Sequence, residues 1–397
     1  MNVLRVLLVS IAVAAALSGP AAAAAAPKPP SAPDAGSVTF QVDPAHDGHI
    51  VFANGFKPPL KQKWKVTLSN DVAFTYPIVV NGLVIVMLEG DQHFLCAFDL
   101  ATGESVWKRL IRETHFVYAA YDNGRVFVQE FSGVIDAFSA DRTGTPLWSV
   151  KLPPGSGYYT PPVAAAGHLI VSSTLQPPKQ GLFSLNEETG AIEWKSAVAA
   201  SIGGPPAIAE DAVFLASVAQ FHKFDLATGK SLWFKDWGGT AGGETTPVYF
   251  KNRLYVRDDG IVSETAKGNP VGTFGTNYAP AFWTSPTGKD LEIVLNESHY
   301  LAVDPKTDNT VWDFAGNGHL SSLPLVINDM VIAGSVDGTL YVLDAARGKE
   351  LWETQTGLSF PLQRELGDVL TGFGAGGDTL ILVSGGSLAA FVQDGAR

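Results

Sequence analysis

A tryptophan returns along this chain about every 40 residues, and no other feature narrows the possible folds as far. The clearest copy, Ala97-Phe98-Asp99-Leu100-Ala101-Thr102-Gly103-Glu104-Ser105-Val106-Trp107, comes back almost unchanged as Lys223-Phe224-Asp225-Leu226-Ala227-Thr228-Gly229-Lys230-Ser231-Leu232-Trp233. Weaker copies end at Trp148, Trp194, Trp312 and Trp352. From Trp64 onward the steps are 43, 41, 46, 39, 79 and 40 residues, so the step of 79 spans two periods. The copy missing from it is read as Glu264-Thr265-Ala266-Lys267-Gly268-Asn269-Pro270-Val271-Gly272-Thr273-Phe274, with Phe274 in the tryptophan's place.

A period of this length suits stacked helices or propeller blades, and the residue types within it choose strands. Leu83-Val84-Ile85-Val86-Met87, Arg125-Val126-Phe127-Val128, Ala212-Val213-Phe214-Leu215 and Leu380-Ile381-Leu382-Val383 are short, β-branched runs preceded by turn residues. Each period reads as four strands. An inner one follows a proline (Tyr76-Pro77-Ile78-Val79, Thr246-Pro247-Val248-Tyr249), the apolar run is second, a third ends at the aspartate, and a fourth ends at the tryptophan. A glycine supplies the tight turn between the last two. The final stretch, 373–391, has inner strands but no terminal tryptophan, while Lys63-Trp64-Lys65-Val66 is a tryptophan strand with no blade before it. Sharing one blade closes the ring and removes free sheet edges. The expectation is an all-β, eight-bladed β-propeller over 59–397, built of four-stranded antiparallel blades, its last blade closed by the N-terminal strand. Trp64, Trp107, Trp148, Trp194, Trp233, Phe274, Trp312 and Trp352 dock blade on blade in this reading.

Residues 1–26 carry an early cation, Arg5, an apolar core and then small residues offering Ala-x-Ala cleavage sites, the pattern of a secretory signal peptide. Residues 27–58 read as a Pro/Ala-rich tether and lead-in. No later apolar stretch reaches the roughly 20 residues of a membrane span. The expected location is therefore periplasmic or secreted, and no cysteine ends the signal segment to accept a lipid. A single cysteine, Cys96 in Phe94-Leu95-Cys96-Ala97-Phe98, allows no internal disulfide and reads as a buried apolar thiol. The net charge of -12, with no basic run, argues against a nucleic-acid partner.

The Ala-x-Asp-x-x-Thr-Gly-x-x-x-Trp unit resembles the repeat of pyrroloquinoline quinone (PQQ) propellers over roughly Lys61 to Val392. The resemblance implies tryptophan docking between blades and two functional branches. Quinoprotein dehydrogenases of the family are usually longer and carry a disulfide of neighbouring cysteines near the cofactor, a Ca²⁺ site and a catalytic Asp. One cysteine cannot supply that disulfide, and no Cys-x-x-Cys-His offers haem attachment. Non-catalytic relatives of similar length include the propeller lipoprotein of the outer-membrane β-barrel assembly machinery, from whose pattern this chain departs in lacking the lipobox cysteine.

Motifs are few. Gly372-Phe373-Gly374-Ala375-Gly376-Gly377 matches a dinucleotide fingerprint in spacing, but a strand-like run follows where a helix is required, so it reads as a glycine-rich turn. The eight histidines are scattered, and no metal site is expected. The recurring Asp99, Asp225, Asp304 and Asp344 read as turn residues bonding local backbone N–H groups. Residues just before each inner strand should ring one channel mouth: Thr75, Tyr76, His115, Tyr118, Tyr158, Tyr159, Glu244, Asn277, Tyr278, His319 and Arg364. Such an aromatic and polar ring suits a peptide or a planar ligand. The leading expectation is a monomeric, non-catalytic scaffold that needs no cofactor and binds an envelope protein or peptide there, in a role like outer-membrane protein assembly. The alternative is a reduced quinoprotein dehydrogenase holding PQQ with Ca²⁺, with Glu244 as ligand or base and Arg364 near the quinone oxygens. A third reading is a lyase or hydrolase using His115 or His319 with a ring tyrosine.

Overall fold

The computed structural model describes residues 36–68, 71–73, 75–112, 117–153, 157–173, 181–198, 204–217, 220–237, 246–256, 260–273, 278–362 and 372–395. Residues 1–35, which cover the expected signal segment 1–26 and the first part of the expected tether and lead-in 27–58, lie outside them, as do His115, Glu244, Phe274, Asn277 and Arg364. All regular structure among the described residues is β, arranged in eight sheets. In chain order these are blades 1 to 8, covering 72–111, 117–151, 163–197, 207–236, 248–273, 281–314, 325–355 and 373–393 with 60–67.

Blade 4 shows why these residues make this unit. Ala207–Ala209, Ala212–Ser217, Gln220–Asp225 and Ser231–Asp236 pair antiparallel in order from the axis outward. Its second strand is apolar on both faces, with Val213 and Phe214 fully buried, because a neighbouring blade covers each side. Its fourth strand alternates exposed and partly covered residues, as an outer strand must. Asp225 accepts the Thr228 N–H at 2.9 Å, and Asp99, Asp304 and Asp344 bond their own turns in the same way. The run 372–377 forms an inner strand, Phe373–Gly376, rather than a turn. Its glycines permit close approach: a Cβ on Gly374 would stand 2.7 Å from Pro77, and one on Gly376 would stand 2.7 Å from the Val79 carbonyl oxygen.

The seams between blades are built on one interaction. At six of the eight seams the indole of the outer strand lies on the turn glycine of the next blade and donates Nε1–H to a carbonyl in that turn. Trp64 bonds Leu100, Trp107 bonds Asp141, Trp148 bonds Glu187, Trp194 bonds Leu226, Trp233 bonds Thr265 and Trp312 bonds Ala345, all at 2.8–3.0 Å. The matching glycines are Gly103, Gly144, Gly190, Gly229, Gly268 and Gly348. A Cβ on any of them would fall 2.5–2.9 Å from the ring. These glycines also hold φ between +56° and +76°, so shape and backbone both demand the residue. Trp352, before the last blade, packs instead on the cluster containing Phe56, Leu60 and Phe391.

Strand register corrects the fifth blade. In blade 4 a bulge sets Trp233 opposite Lys223, and in blade 5 the same bulge sets Gly272 opposite Val262. Gly272, not Phe274, therefore occupies the tryptophan position. The position is set by the turn glycine, four residues before Trp233 in blade 4 and four before Gly272 in blade 5, and Phe274 is only the nearest aromatic to it.

Closure follows the expected route. Leu60–Thr67 pairs antiparallel with Ser387–Gln393, Trp64 faces Ala390, and Asp394 N–H donates to the Pro59 carbonyl at 2.8 Å where the other blades have a continuous turn.

Replacing Gly229 by alanine combines left-handed strain of about 1 kcal/mol with displacement of the Trp194 indole, roughly 1–3 kcal/mol more. Gly82 has a similar φ of +71° but nothing within 4 Å of a new Cβ, so Gly82→Ala carries the strain alone. Urea midpoints should place Gly229→Ala well below Gly82→Ala; equal midpoints would contradict the docking account.

A candidate site at the plugged channel

In an eight-bladed ring the inner strands are edges that present unpaired backbone groups to the axis. Here residues 37–50 run around the inside of the ring and meet those edges one blade after another. Ser37 N–H donates to Ala375 of blade 8 at 2.8 Å, and Val79 N–H of blade 1 donates back to Ser37 at 2.8 Å. Tyr121 N–H of blade 2 donates to Val38, and Thr39 Oγ1 donates to Pro162, beside the inner strand of blade 3. Ile208, Tyr249 and Phe282 N–H groups of blades 4, 5 and 6 donate to Pro44, Ala45 and Asp47 at 2.7–2.9 Å. In blade 7, His49–Ile50 pairs in parallel with Leu325–Ile327. Every blade thus contributes to holding one segment.

The segment's composition suits this path. Gly48, at φ +67°, passes so close that a Cβ would stand 2.6 Å from that of Ala281. Phe40 and Val42 are buried, and Phe40 packs 5.9 Å from the Tyr76 ring. His46 is fully buried, with Nδ1 2.8 Å from the Phe40 carbonyl oxygen and Nε2 2.9 Å from that of Pro206. Burial lowers the His46 pKa; the two carbonyls oppose this, because only a protonated ring donates to both. Asp43 accepts the Asp47 N–H at 3.1 Å, and Asp47 accepts the His49 N–H at 2.9 Å. Burial raises both carboxyls, Asp43 with a further push from Asp47, and Asp47 reaches about 6.

The aromatic ring expected at one mouth divides. Thr75, Tyr76, Tyr118 and Tyr158 are buried and belong to packing. Tyr76 Oη donates to Ala119 at 2.7 Å, and Tyr158 lies over Gly133 and donates to Pro153 at 3.0 Å. Tyr159 and Tyr278 are partly exposed, Tyr159 beside Phe131 with ring centroids 5.0 Å apart, and His319 is exposed. Three tyrosines read as ligand-facing are therefore structural, because the plug and adjoining blades cover them. Sequence reasoning passed over the plug itself. Its signal was the dense Asp43-Pro44-Ala45-His46-Asp47-Gly48, in which small, turn-forming and polar residues are mixed.

Indoles docked on turn glycines around a closed ring of eight blades define a PQQ-type propeller. The chain belongs to the family described as outer membrane protein assembly factor BamB, which matches residues 131–273 and 280–397. It is 22% identical over 249 residues to outer membrane protein assembly factor BamB of Moranella endobia (strain PCIT), covering 59% of this chain and 56% of that protein. It is 24% identical over 327 residues to the dehydrogenase subunit of a quinone alcohol dehydrogenase from Gluconacetobacter polyoxogenes, covering 73% of this chain and 41% of that one. The matches thus span about half the length of these relatives. The crystal structure of BamB from Moraxella catarrhalis superposes with a TM-score of 0.62 at 16% identity, over 86% of this chain and 99% of that one, a likeness of fold.

Of the residues expected to hold a quinone, Glu244 and Arg364 lie outside the described residues. Phe40, Val42 and His46 on the inner segment are buried, and both ring nitrogens of His46 already face backbone carbonyls, so these three offer such a group no unused polar atom. Cys96 is buried in blade 1, its thiol pushed up to about 12 chiefly by burial.

A carboxyl whose pKa is raised on folding adds stability below its unfolded pKa and loses it as pH rises through the folded value. For Asp47 that loss runs from about 4 to 6. Asp47→Asn keeps the acceptor for His49 N–H, so it should stabilise the protein by about 1–2 kcal/mol at pH 7.5 and make little difference at pH 4. Urea midpoints at the two pH values test this; a gain independent of pH would refute it.

Proposed function

We propose that this chain is a non-catalytic scaffold of the cell envelope, holding a protein or peptide partner on the surface of a propeller whose axis is closed. The observation that carries the proposal is the plug. A channel filled by residues bonded to every blade offers rigidity, not a reaction chamber, and function moves to the mouth loops and rim. Membership of the BamB family supports an envelope partner, and the signal-like residues 1–26 fit delivery there. No helix among the described residues is long and apolar enough to cross a membrane.

The contact surface proposed is the mouth carrying Tyr159, Tyr278 and His319; His115, Glu244 and Arg364, which the sequence assigns to the same mouth, lie outside the described residues. A photo-crosslinking residue at position 159 or 319, in envelope extracts, should yield adducts with outer-membrane assembly proteins that the same residue at Leu232 on the outer rim does not. Equal adducts at all three positions would remove the mouth as the site.

The likeness to the quinone alcohol dehydrogenase keeps an enzymatic reading in view. Titration with PQQ, with and without Ca²⁺, followed by tryptophan fluorescence and dye reduction on an alcohol panel, separates the two. The scaffold reading expects no saturable binding and no turnover; tight binding with turnover would replace it.

A further inference from the structure

The seam between blades 5 and 6 lacks both halves of the docking pair. Gly272 stands where the tryptophan belongs, and Asp308, at φ +55°, stands where the next blade has its glycine. A Cβ on Gly272 would meet only Val262, at 3.8 Å. The carbonyl that would receive an indole N–H, that of Pro305, instead accepts from Arg253 Nη1 at 2.8 Å, so the seam is held by a different bond and the indole's volume is left over.

That volume is a cavity of about 310 Å³ lined by Thr273, Glu292, Val294, Leu301, Val303, Asp308 and Thr310. Thr273, Asp308 and Thr310 are exposed and form its entrance; Val294 and Glu292 are buried at its base. Glu292 is only 2% exposed, and its Oε1 has no hydrogen-bond partner. A buried, unpartnered carboxylate is costly unless a cation or donor meets it. Burial, with a smaller push from Asp308, raises the Glu292 pKa to about 8, so near neutral pH this carboxyl holds a proton.

We propose that the vacated tryptophan site between blades 5 and 6 binds an alkylammonium group, with the cation on Glu292, its methylenes against Val294, Leu301 and Val303, and Asp308 at the entrance. Apolar walls ending in one carboxylate match a primary ammonium on an aliphatic stem, which supplies N–H donors to a single acceptor. The same chemistry occurs in a free aliphatic amine and in a lysine side chain of a partner polypeptide. Binding moves this proton from Glu292 to solvent, leaving carboxylate against ammonium. This site lies on the rim and is independent of the mouth proposed above.

The test is calorimetric titration of the full chain at pH 7 with n-butylammonium, Nα-acetyl-lysine methylamide and, as a neutral control, n-butanol, in buffers of different ionisation enthalpy. Saturable binding of both cations with release of about one proton, and none of butanol, is expected. Glu292→Gln should weaken it at least tenfold. Gly272→Trp/Asp308→Gly, which rebuilds the docking pair, should abolish it while raising the melting temperature. Tighter binding of the lysine amide assigns the site to a polypeptide, and tighter binding of the free amine assigns it to a small molecule. Equal binding of butanol, or cation binding unchanged in both variants with native circular dichroism, would overturn the proposal.

Discussion

The indole resting on a turn glycine is the contact on which this molecule depends. It sets the spacing between neighbouring blades, because ring thickness replaces the missing Cβ. It also fixes their relative tilt, because the Nε1–H must reach one carbonyl at 2.8–3.0 Å. Each such hydrogen bond adds about 1 kcal/mol. The larger effect is geometric: repetition of one wedge closes the ring on the strand Leu60–Thr67. Once the ring is closed, the inner strands are forced to face one another across an axis with unpaired backbone groups, and something must answer them.

Residues 37–50 give that answer from within the same chain. They pair with one edge after another, so a segment with almost no regular structure of its own becomes as buried as the blades. The Asp43–Asp47 pair and His46 lie inside this winding, which explains why their protonation is displaced from ordinary values. Filling the axis turns a potential ligand channel into a rigid core. The rim and the mouth stay open to solvent, and at the rim the seam between blades 5 and 6, without its indole, carries a buried acid.

The fold was legible because its cause is local and repeated. Trp107 and Trp233 sit in nearly identical units, and both the strand pattern and the closing strand around Trp64 could be read from residue order. Reading failed where identity depends on register or on distant chain. Gly272 was missed because a void has no residue type to mark it, and Phe274 two positions on was a more visible aromatic. Tyr76, Tyr118 and Tyr158 stand at the expected ends of inner strands, but whether such a ring faces solvent or packing depends on what fills the axis. Phe40, which covers Tyr76, lies outside the repeats and announced nothing. Asp43-Pro44-Ala45-His46-Asp47-Gly48 looks like a linker by composition, since turn residues serve both purposes.

The winding of residues 37–50 along the inner strands can be measured. Amide hydrogen exchange at Val79, Tyr121, Ile208, Tyr249, Phe282 and Val326, whose N–H groups all donate to the plug, reads it directly. Protection equal to that of the second-strand core at Val126 and Val213, lost together with it, is the expected result. Exchange of those six amides within minutes while the core strands stay protected would mean that the channel is open and that the plug is not part of the folded scaffold.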